Sequence, residues 1–252
     1  MTLLERLYEA AAPRLQGKRV REVRIGHYLI GVLLDSGELG VAYALPGERK
    51  APEPVFPDPA RYVGMDALDL AAGLKQDDLV ARALGMAAAN AVAQPDPAHS
   101  LEDPDALTTV PVRPTDTVGL IGFIRSIHRR IDDRVDRIII FDRSLDGEPG
   151  ISPEEQQPEL LPLCDVVFVT GSAVTNGTLE TILPWCRKAR DIVIIGPSTP
   201  LYPEAFAGTG VTVLAGATWP PEHHGQALAG IGEGKRFYQL NELTHQWALR
   251  VG

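Results

Sequence analysis

The chain has 252 residues, of which 44% are hydrophobic, and a formal net charge of -9 at pH 7. This length allows one large domain or two modest ones with a substantial core. The negative charge disfavours nucleic-acid backbones and anionic membranes as main partners, and no stretch approaches the roughly 20 apolar residues of a membrane helix. We therefore expect neither a nucleic-acid nor a membrane partner.

The amino-terminal residues and the cysteines indicate the compartment. Residues 1–7 lack the basic start, long apolar centre and cleavage site of a secretion signal. Cys164 and Cys186 are the only cysteines, which is too few for a disulfide framework, and their spacing is not that of paired metal ligands. The sequence predicts a reduced, cytoplasmic protein without a tightly bound structural metal, and it leaves the cofactor unknown.

Hydrophobic periodicity predicts an α+β domain with a small antiparallel sheet over residues 1–93. Apolar residues at helical spacing predict a helix over 2–15 with Thr2 as its cap. Further along, we predict strands at 20–25, 27–34 and 39–44 with a hairpin turn at 35–38, a loop over 46–60, and helices at 66–74 and 77–93.

Residues 94–116 contain five prolines and no apolar periodicity, so we predict a linker there. Ordered packing of this segment across the first domain stays open. Beyond it, strands alternate with helical or mixed segments, which predicts a Rossmann-like domain with a mainly parallel sheet over 117–252. The strand candidates are Val118–Ile124, Arg137–Phe141, Val166–Val169, Ile192–Ile195 and Val211–Leu214.

Two of these strands end in polar turns. Ligands of open α/β sheets bind beyond the carboxyl ends of the strands, so both turns are candidates for one binding site. A helix start after the first turn would favour an anionic group; with equal weight, Thr175 or Asn176 only caps that helix. The predicted ligand-binding residues are Thr170, Gly171, Ser172, Thr175, Asn176, Gly177, Thr178, Gly196, Pro197, Ser198, Thr199 and Pro200.

Asn90 is a further candidate because it lies on the small-residue face of the helix predicted at 77–93. A buried amide must find hydrogen-bond partners. Asn90 therefore either has a structural role between the domains or reaches the ligand, and the structural role is the favoured reading.

A dinucleotide site at Gly122 and Asp142 is the weaker alternative. Asp142 follows a strand about twenty residues after the glycine, where a ribose-binding acid often lies. However, Arg125 occupies the place of the third glycine, and bulky neighbours would crowd a pyrophosphate. Pairing of Asp142 with Arg143, or solvation, is the commoner outcome.

Other metal or catalytic candidates are few. Cys164 precedes a strand and Cys186 lies late in the next helix, so we do not expect the two thiols to converge. His223 and His224 are adjacent and expected to be exposed, and His128 is expected at a surface or interface. No hydrolase triad, phosphate loop or zinc-hydrolase motif is present.

Three motifs in order resemble those of the heavy-metal chelation family, a family of unknown function, over nearly the whole chain. They are residues 85–91, 170–178 and 196–201. The resemblance implies a domain similar to the enolase amino-terminal domain, a Rossmann-like domain, a cleft between them and a link to metal or corrinoid metabolism. The matching positions are Gly85, Asn90, Thr170, Asn176, Gly177, Thr178, Gly196, Pro197, Ser198, Thr199 and Pro200.

These observations predict a small-molecule binding protein whose ligand is anionic, metal-bound or itself a metal chelator. The alternative is an enzyme acting on an anionic or amino-acid-like metabolite. A purely structural interaction protein has the least support, because the strand-end polar residues would then have no use. The oligomeric state, including a homo-oligomer, is left open.

Overall fold

The structure is a computed structural model that describes residues 1–45, 58–101 and 103–252, apart from the side chain of His99. Most of the loop predicted over 46–60 therefore lies outside the described residues. Its end is described: Pro59–Tyr62 form a turn of 3-10 helix capped by Asp58.

The first half is an α+β unit with a three-stranded antiparallel sheet of order β1-β2-β3, as predicted. Its elements are α1 (Leu3–Leu15), β1 (Val20–Ile25), β2 (Leu29–Leu34), β3 (Leu39–Tyr43), α2 (Ala67–Ala71) and α3 (Leu79–Ala91). Thr2 and Glu5 form a reciprocal capping box at the start of α1. Asp78 caps α3, its carboxylate accepting from the N–H of Ala81 at 2.7 Å.

The second half contains a six-stranded, mostly parallel sheet, which confirms the predicted fold class. The strands are β4 (Thr117–Ile121), β5 (Arg137–Phe141), β6 (Val166–Thr170), β7 (Asp191–Ile195), β8 (Val213–Thr218) and β9 (His245–Arg250), and the helices are α4 (Ala106–Thr109), α5 (Arg125–Ile131), α6 (Gln157–Leu160), α7 (Ser172–Thr175), α8 (Leu179–Ile182) and α9 (His224–Gly232). Their spatial order is β5-β4-β6-β7-β8-β9, and only β9 is antiparallel to its neighbour.

Three details of this sheet differ from the sequence prediction. Strand β8 runs over Val213–Thr218 rather than Val211–Leu214. The first strand ends at Ile121 rather than Ile124, because Gly122 turns the chain with a φ of +82°. Strand β9 was not predicted at all. It nevertheless closes the edge of the sheet beside β8.

The segment predicted as a linker makes ordered contacts with the second half. Leu101 donates its N–H to the carbonyl of Ala248 in β9 at 2.9 Å. Ala106 and Leu107 of α4 are buried in the cluster on one face of the six-stranded sheet. This stretch thus packs on the second sheet before the chain enters β4.

The small sheet lies between α3 on one face and α9 on the other. On the α3 side, a Cβ built on Gly40 would lie 2.0 Å from the carbonyl oxygen of Ala87, so β3 and α3 approach at backbone contact. On the α9 side, Leu29 and Val41 share a buried cluster with Ile231. Because α9 follows β8 in the chain, the two halves share a hydrophobic core.

Among the described residues, no helix combines the length and the apolar character needed to cross a membrane.

Candidate functional site

The six-stranded sheet has a topological switch point between β4 and β6. The chain runs outward from β4 to β5 and then crosses to β6 on the other side of β4. In open α/β sheets, the crevice at such a point, outside the carboxyl ends of the strands, is where ligands bind. Here the two loops touch, since a Cβ on Gly122 would lie 2.9 Å from Cγ2 of Thr170.

Asp142, at the end of β5, holds the loop after β4. Its Oδ2 accepts from the N–H of Phe123 at 2.7 Å, and its Oδ1 accepts from the N–H and hydroxyl of Ser144. Pairing with Arg143, one of the two outcomes expected for Asp142, is not formed, and Arg143 instead pairs with Glu154 at 2.7 Å. Asp142 is therefore a half-buried carboxylate fixed beside the switch point.

The turn after β6 is compact. The Thr170 and Ser172 hydroxyls lie 3.0 Å apart, and both residues are half-buried. The helix that follows, α7, is only one turn long. This stretch therefore lacks the dipole of a long helix, which would favour an anion. The Oδ1 atom of Asn176 accepts hydrogen bonds from the N–H and from the hydroxyl of Thr178. Asn176 therefore stabilises the local turn, which is one of the two roles that the sequence left open.

Gly177 adopts a φ of +81°, and a Cβ there would lie 3.2 Å from the Arg82 guanidinium. Arg82 in turn donates to the carbonyl of Asn176 at 3.2 Å. A side chain of α3 is thereby tied to the turn after β6.

The turn after β7 joins the two halves. Ser198 is fully buried, and its hydroxyl accepts from the N–H of Tyr43 at the end of β3 at 2.7 Å. Thr199 is also buried, with its Oγ1 3.1 Å from where a Cβ on Gly171 would lie. The turn residues Gly196, Pro197 and Pro200 complete this connection, which packs against the turn after β6.

Asn90 makes a structural contact inside the first half, between α3 and β3. Its Nδ2 donates to the carbonyl of Val41 at 3.0 Å. Strand β3 is an edge strand of the small sheet, so some of its backbone groups face away from β2. Asn90 and Ser198 form hydrogen bonds with two of these groups. The adjacent Tyr202, which the sequence reasoning missed, donates its hydroxyl to the carbonyl of Ala89 at 2.6 Å.

Three buried side-chain atoms at this junction have no hydrogen-bond partner among the described residues: Asn90 Oδ1, Thr175 Oγ1 and Thr199 Oγ1. Their elements touch, because α3 contacts α7 and Thr199 lies against Gly171 at the start of α7. A buried polar group without a partner is costly unless water or a ligand satisfies it. All three belong to the residues singled out from the sequence.

Tyr43, Tyr28 and Arg236 form a further part of this edge that sequence reasoning missed. The Arg236 guanidinium lies 4.0 Å from the centroid of the Tyr28 ring and donates to the Tyr28 hydroxyl at 2.7 Å. Burial raises the pKa of Tyr43, the Arg236 charge lowers it, and the charges of Tyr28 and Asp142 add to the increase. No short motif marks these residues, because they meet through tertiary packing alone.

The described histidines do not come together in a metal site. His224 is buried and hydrogen-bonded to the carbonyl of Trp219 at 2.8 Å, contrary to the expected exposure, because it starts α9 against the small sheet. His128 lies on α5 beside the Phe123 ring, in a groove of about 550 Å³. Within the described ranges, no group of three or more His, Cys, Asp or Glu could hold a metal ion.

The two cysteines come closer than expected. Cys164 precedes β6 and Cys186 precedes the neighbouring β7, so the short helical return brings both to the amino edge of the sheet. Burial raises the pKa of Cys164 to about 11, and burial together with the Cys164 charge raises that of Cys186 to about 12. Both thiols are protonated at neutral pH, whereas heavy metals are bound by the thiolate.

The chain resembles known proteins along its whole length. Residues 8–93 and 105–250 match two family models, DUF4213 and DUF364, each described as "Putative heavy-metal chelation". An uncharacterized protein of Methanocaldococcus jannaschii is 31% identical over 147 residues, which cover 55% of this chain and 54% of that protein. The aligned part thus spans about half the length of this curated relative.

Crystal structures of two DUF364 proteins with unknown function have the same fold. The protein from Pyrococcus horikoshii superposes with a TM-score of 0.84 at 25% identity, covering 99% of this chain and 100% of that one. The protein from Desulfitobacterium hafniense DCB-2 gives 0.73 at 23% identity, covering 98% of each chain, and supports the fold alone. Since the DUF364 model matches more than half of the chain, the protein belongs to the DUF364 family.

Proposed function

We propose that the protein binds a small metabolite at the carboxyl edge of the six-stranded sheet, and that any heavy metal it handles is held by that metabolite. The observation that carries the proposal is that several features of a binding site lie together at this edge. The switch point, the half-buried Thr170 and Ser172 hydroxyls and the unpartnered polar atoms of Thr175 and Thr199 all belong to it. Buried polar groups of this kind impose specificity, since an unsuitable ligand leaves them unpaired.

The donor chemistry supports an indirect role in metal handling. Among the residues that the structure describes, the candidate ligands at this edge are hydroxyls, amides and the Asp142 carboxylate. These are hard ligands, whereas heavy metals prefer thiolate or imidazole. The two buried thiols lie at the opposite, amino edge and are protonated. The residues described therefore do not fit a heavy-metal ion held by protein side chains, and a chelating metabolite would supply the metal ligands.

An enzyme acting on an anionic or amino-acid-like metabolite in metal or corrinoid metabolism is the second candidate. The observation favouring it is the half-buried carboxylate of Asp142, which backbone donors hold beside the switch point. A positioned carboxylate in a cleft can act as a general acid or base. In either case we place the protein in the cytoplasm, in keeping with its two free cysteines.

Native mass spectrometry of the full chain, incubated with Ni²⁺ alone or with Ni²⁺ and L-histidine, tests the proposal. We expect an adduct with the mass of a metal–histidine complex or of a co-purified metabolite, and no stoichiometric bare ion. Thr199→Val should weaken the adduct, because it removes a buried hydroxyl at nearly constant volume. Thr181→Val, at an exposed position of α8, is the matched control.

Bare Ni²⁺ bound one per chain, equally in the wild type and in Thr199→Val, would contradict the proposal. So would an adduct that both variants retain unchanged.

A further inference from the structure

The groove of about 550 Å³ beside β5 has no part in the proposed function, because none of its lining residues belongs to the turns after β6 and β7. Strand β5 is an edge strand of the six-stranded sheet. Pockets for small molecules usually have volumes of roughly 300–1,000 Å³. The groove is therefore large enough to hold one small molecule.

Strand β5 leaves one backbone donor and one backbone acceptor open on its outer side. The carbonyl of Phe141 accepts from the N–H of Gly122 on the β4 side, whereas the carbonyl of Ile140 accepts from the N–H of Ser152 on the outer side, each at 2.7 Å. Because the backbone groups of successive strand residues alternate in direction, those of Ile138 face outward like those of Ile140. In the part of the chain that the structure describes, nothing hydrogen-bonds to the N–H or the carbonyl of Ile138.

Apolar and aromatic side chains surround these two backbone groups. Ile138 and Phe123 both line the groove, and the Phe123 ring meets the His128 ring edge-on with a centroid separation of 5.2 Å. Leu145 and Ile151 line the groove as well. Walls of this kind suit a planar ring, which can stack on an aromatic side chain and contact aliphatic ones.

The charged side chains of the groove are of both signs. Arg125 and Arg137 line it together with Asp132, Asp136 and Glu148, and all five residues are exposed. Because the two signs nearly balance, the groove does not favour a strongly anionic or cationic ligand. An uncharged ligand matches this charge distribution best.

We propose that the groove beside β5 binds an uncharged planar ring that contains a cyclic amide, as the base uracil does. The ring N–H donates to the carbonyl of Ile138, and a ring carbonyl accepts from the N–H of Ile138. Facing residues of an antiparallel ladder exchange two hydrogen bonds in the same way. The ring itself packs on Phe123. This inference goes beyond the proposed function and does not depend on it, because other residues carry it.

Saturation-transfer NMR of the full chain, titrated with uracil, tests this inference, and we expect saturable binding. The N,N′-dimethylated uracil keeps the ring and both carbonyls but has no N–H donor. It should bind about 10-fold more weakly, because the carbonyl of Ile138 is left without a partner. Phe123→Ala should weaken uracil binding about 10-fold as well, as expected for the loss of base stacking on an aromatic ring.

Ile138→Pro removes the backbone donor itself, and proline is tolerated on edge strands where the N–H faces outward. This variant should also bind uracil more weakly, and its melting curve shows whether it folds. If it does not fold, Phe123→Ala and the dimethylated ligand decide the question. Tyr238→Ala is the matched control, because it removes an aromatic ring that is 70% exposed and does not line the groove. It should leave the affinity unchanged.

The inference is overturned if uracil does not bind saturably, if the dimethylated uracil binds equally well, or if Phe123→Ala binds uracil as tightly as the wild type. N-acetylvaline methylamide offers the same donor and acceptor on an extended chain without a planar ring. Tighter binding of this compound than of uracil would assign the groove to a peptide strand and would also overturn the inference.

Discussion

Ser198 shows how one side chain at a strand end serves the fold and the candidate site together. Its hydroxyl is fully buried and accepts from the N–H of Tyr43 across the junction of the two halves. Strand β3 is an edge strand, so without Ser198 this N–H would face the interior unpaired. The hydroxyl thereby fixes the backbone of Tyr43 where the two halves meet.

Ser198→Ala should lower the free energy of unfolding by roughly 1–3 kcal/mol, because it leaves a buried donor without an acceptor. Urea denaturation monitored by circular dichroism measures the change. Ser126→Ala, at an exposed position of α5, should change stability by less than about 0.5 kcal/mol. Equal midpoints for the two variants would show that the Tyr43 N–H finds another acceptor.

Asp116 and Arg190 predict a specific pH dependence. Arg190 donates to both carboxylate oxygens of Asp116, at 2.8 and 2.7 Å, and Asp116 is 3% exposed. Hydrogen bonding to Arg190 holds the pKa of Asp116 below its usual value. The unfolded chain then binds more protons, so this contribution is present above the unfolded pKa of about 3.9 and is lost as pH falls through the lower folded pKa.

Asp116→Asn should therefore make the free energy of unfolding fall less steeply between about pH 4 and the pKa of Asp116 in the folded protein. Near neutral pH the same change should lower the free energy of unfolding by roughly 1.5–3 kcal/mol. Denaturation midpoints measured across this pH range give both quantities. Asp133→Asn, at an exposed position, should leave the pH profile as in the wild type. A profile that is equally steep in Asp116→Asn would assign the acid sensitivity to other carboxylates.

At the scale of elements, the contact of β3 with α3 positions Asn90 and Tyr43. A Cβ on Gly40 would lie 2.0 Å from the carbonyl oxygen of Ala87 and 2.2 Å from the nitrogen of Ala91. Both neighbours are backbone atoms, so no rotamer change can relieve the clash. The close approach is what allows Asn90 to reach the carbonyl of Val41 on the strand.

Gly40→Ala should destabilise the protein by about 3 kcal/mol or more, because the strand and helix must separate. Gly225→Ala is the control, and we expect it to change the stability in the opposite direction. Gly225 lies in α9 with nothing within 4 Å of a Cβ, so the alanine should stabilise by roughly 0.4–1 kcal/mol. Thermal melting compares the two, and a small effect of Gly40→Ala would mean that α3 shifts readily.

The sequence predicted the elements with strong local patterns. The β-branched runs at Val166–Val169 and Ile192–Ile195 became parallel strands in the expected sheet. Strand β9 was missed because its sequence, His-Gln-Trp-Ala-Leu-Arg, has no β-branched residue and pairs only through β8. Its pairing is decided by tertiary contacts, which local propensity does not contain.

The same distinction applies to the candidate site. Ser198 and Asn90 stood out in the sequence because polar residues interrupt apolar or small-residue patterns. Arg236 and Tyr28 did not, since they are 208 residues apart and meet only through packing of α9 on the small sheet. The sequence therefore identifies the two turns, but it does not identify the residues that only tertiary packing brings together.

At the scale of the molecule, one hydrophobic cluster extends through both halves. Leu7 of α1 belongs to it together with Val167 of β6 and Phe206, and Arg6 donates to the carbonyl of Ala207 at 2.8 Å. Burial across the junction links the stability of each half to that of the other. We therefore expect the two halves to unfold together.

The tryptophans permit a direct test of this coupling, because Trp185, Trp219 and Trp247 all lie in the second half. Leu7→Ala removes a fully buried side chain from the first half and should cost about 2–5 kcal/mol. If the halves unfold together, tryptophan fluorescence and circular dichroism will shift to the same lower denaturant midpoint. Leu163→Ala, at a side chain that is 45% exposed, should shift neither signal appreciably. An early loss of helical signal with an unchanged fluorescence midpoint would instead mean that the first half unfolds alone, and the junction carrying Asn90 and Ser198 would then form only after each half has folded.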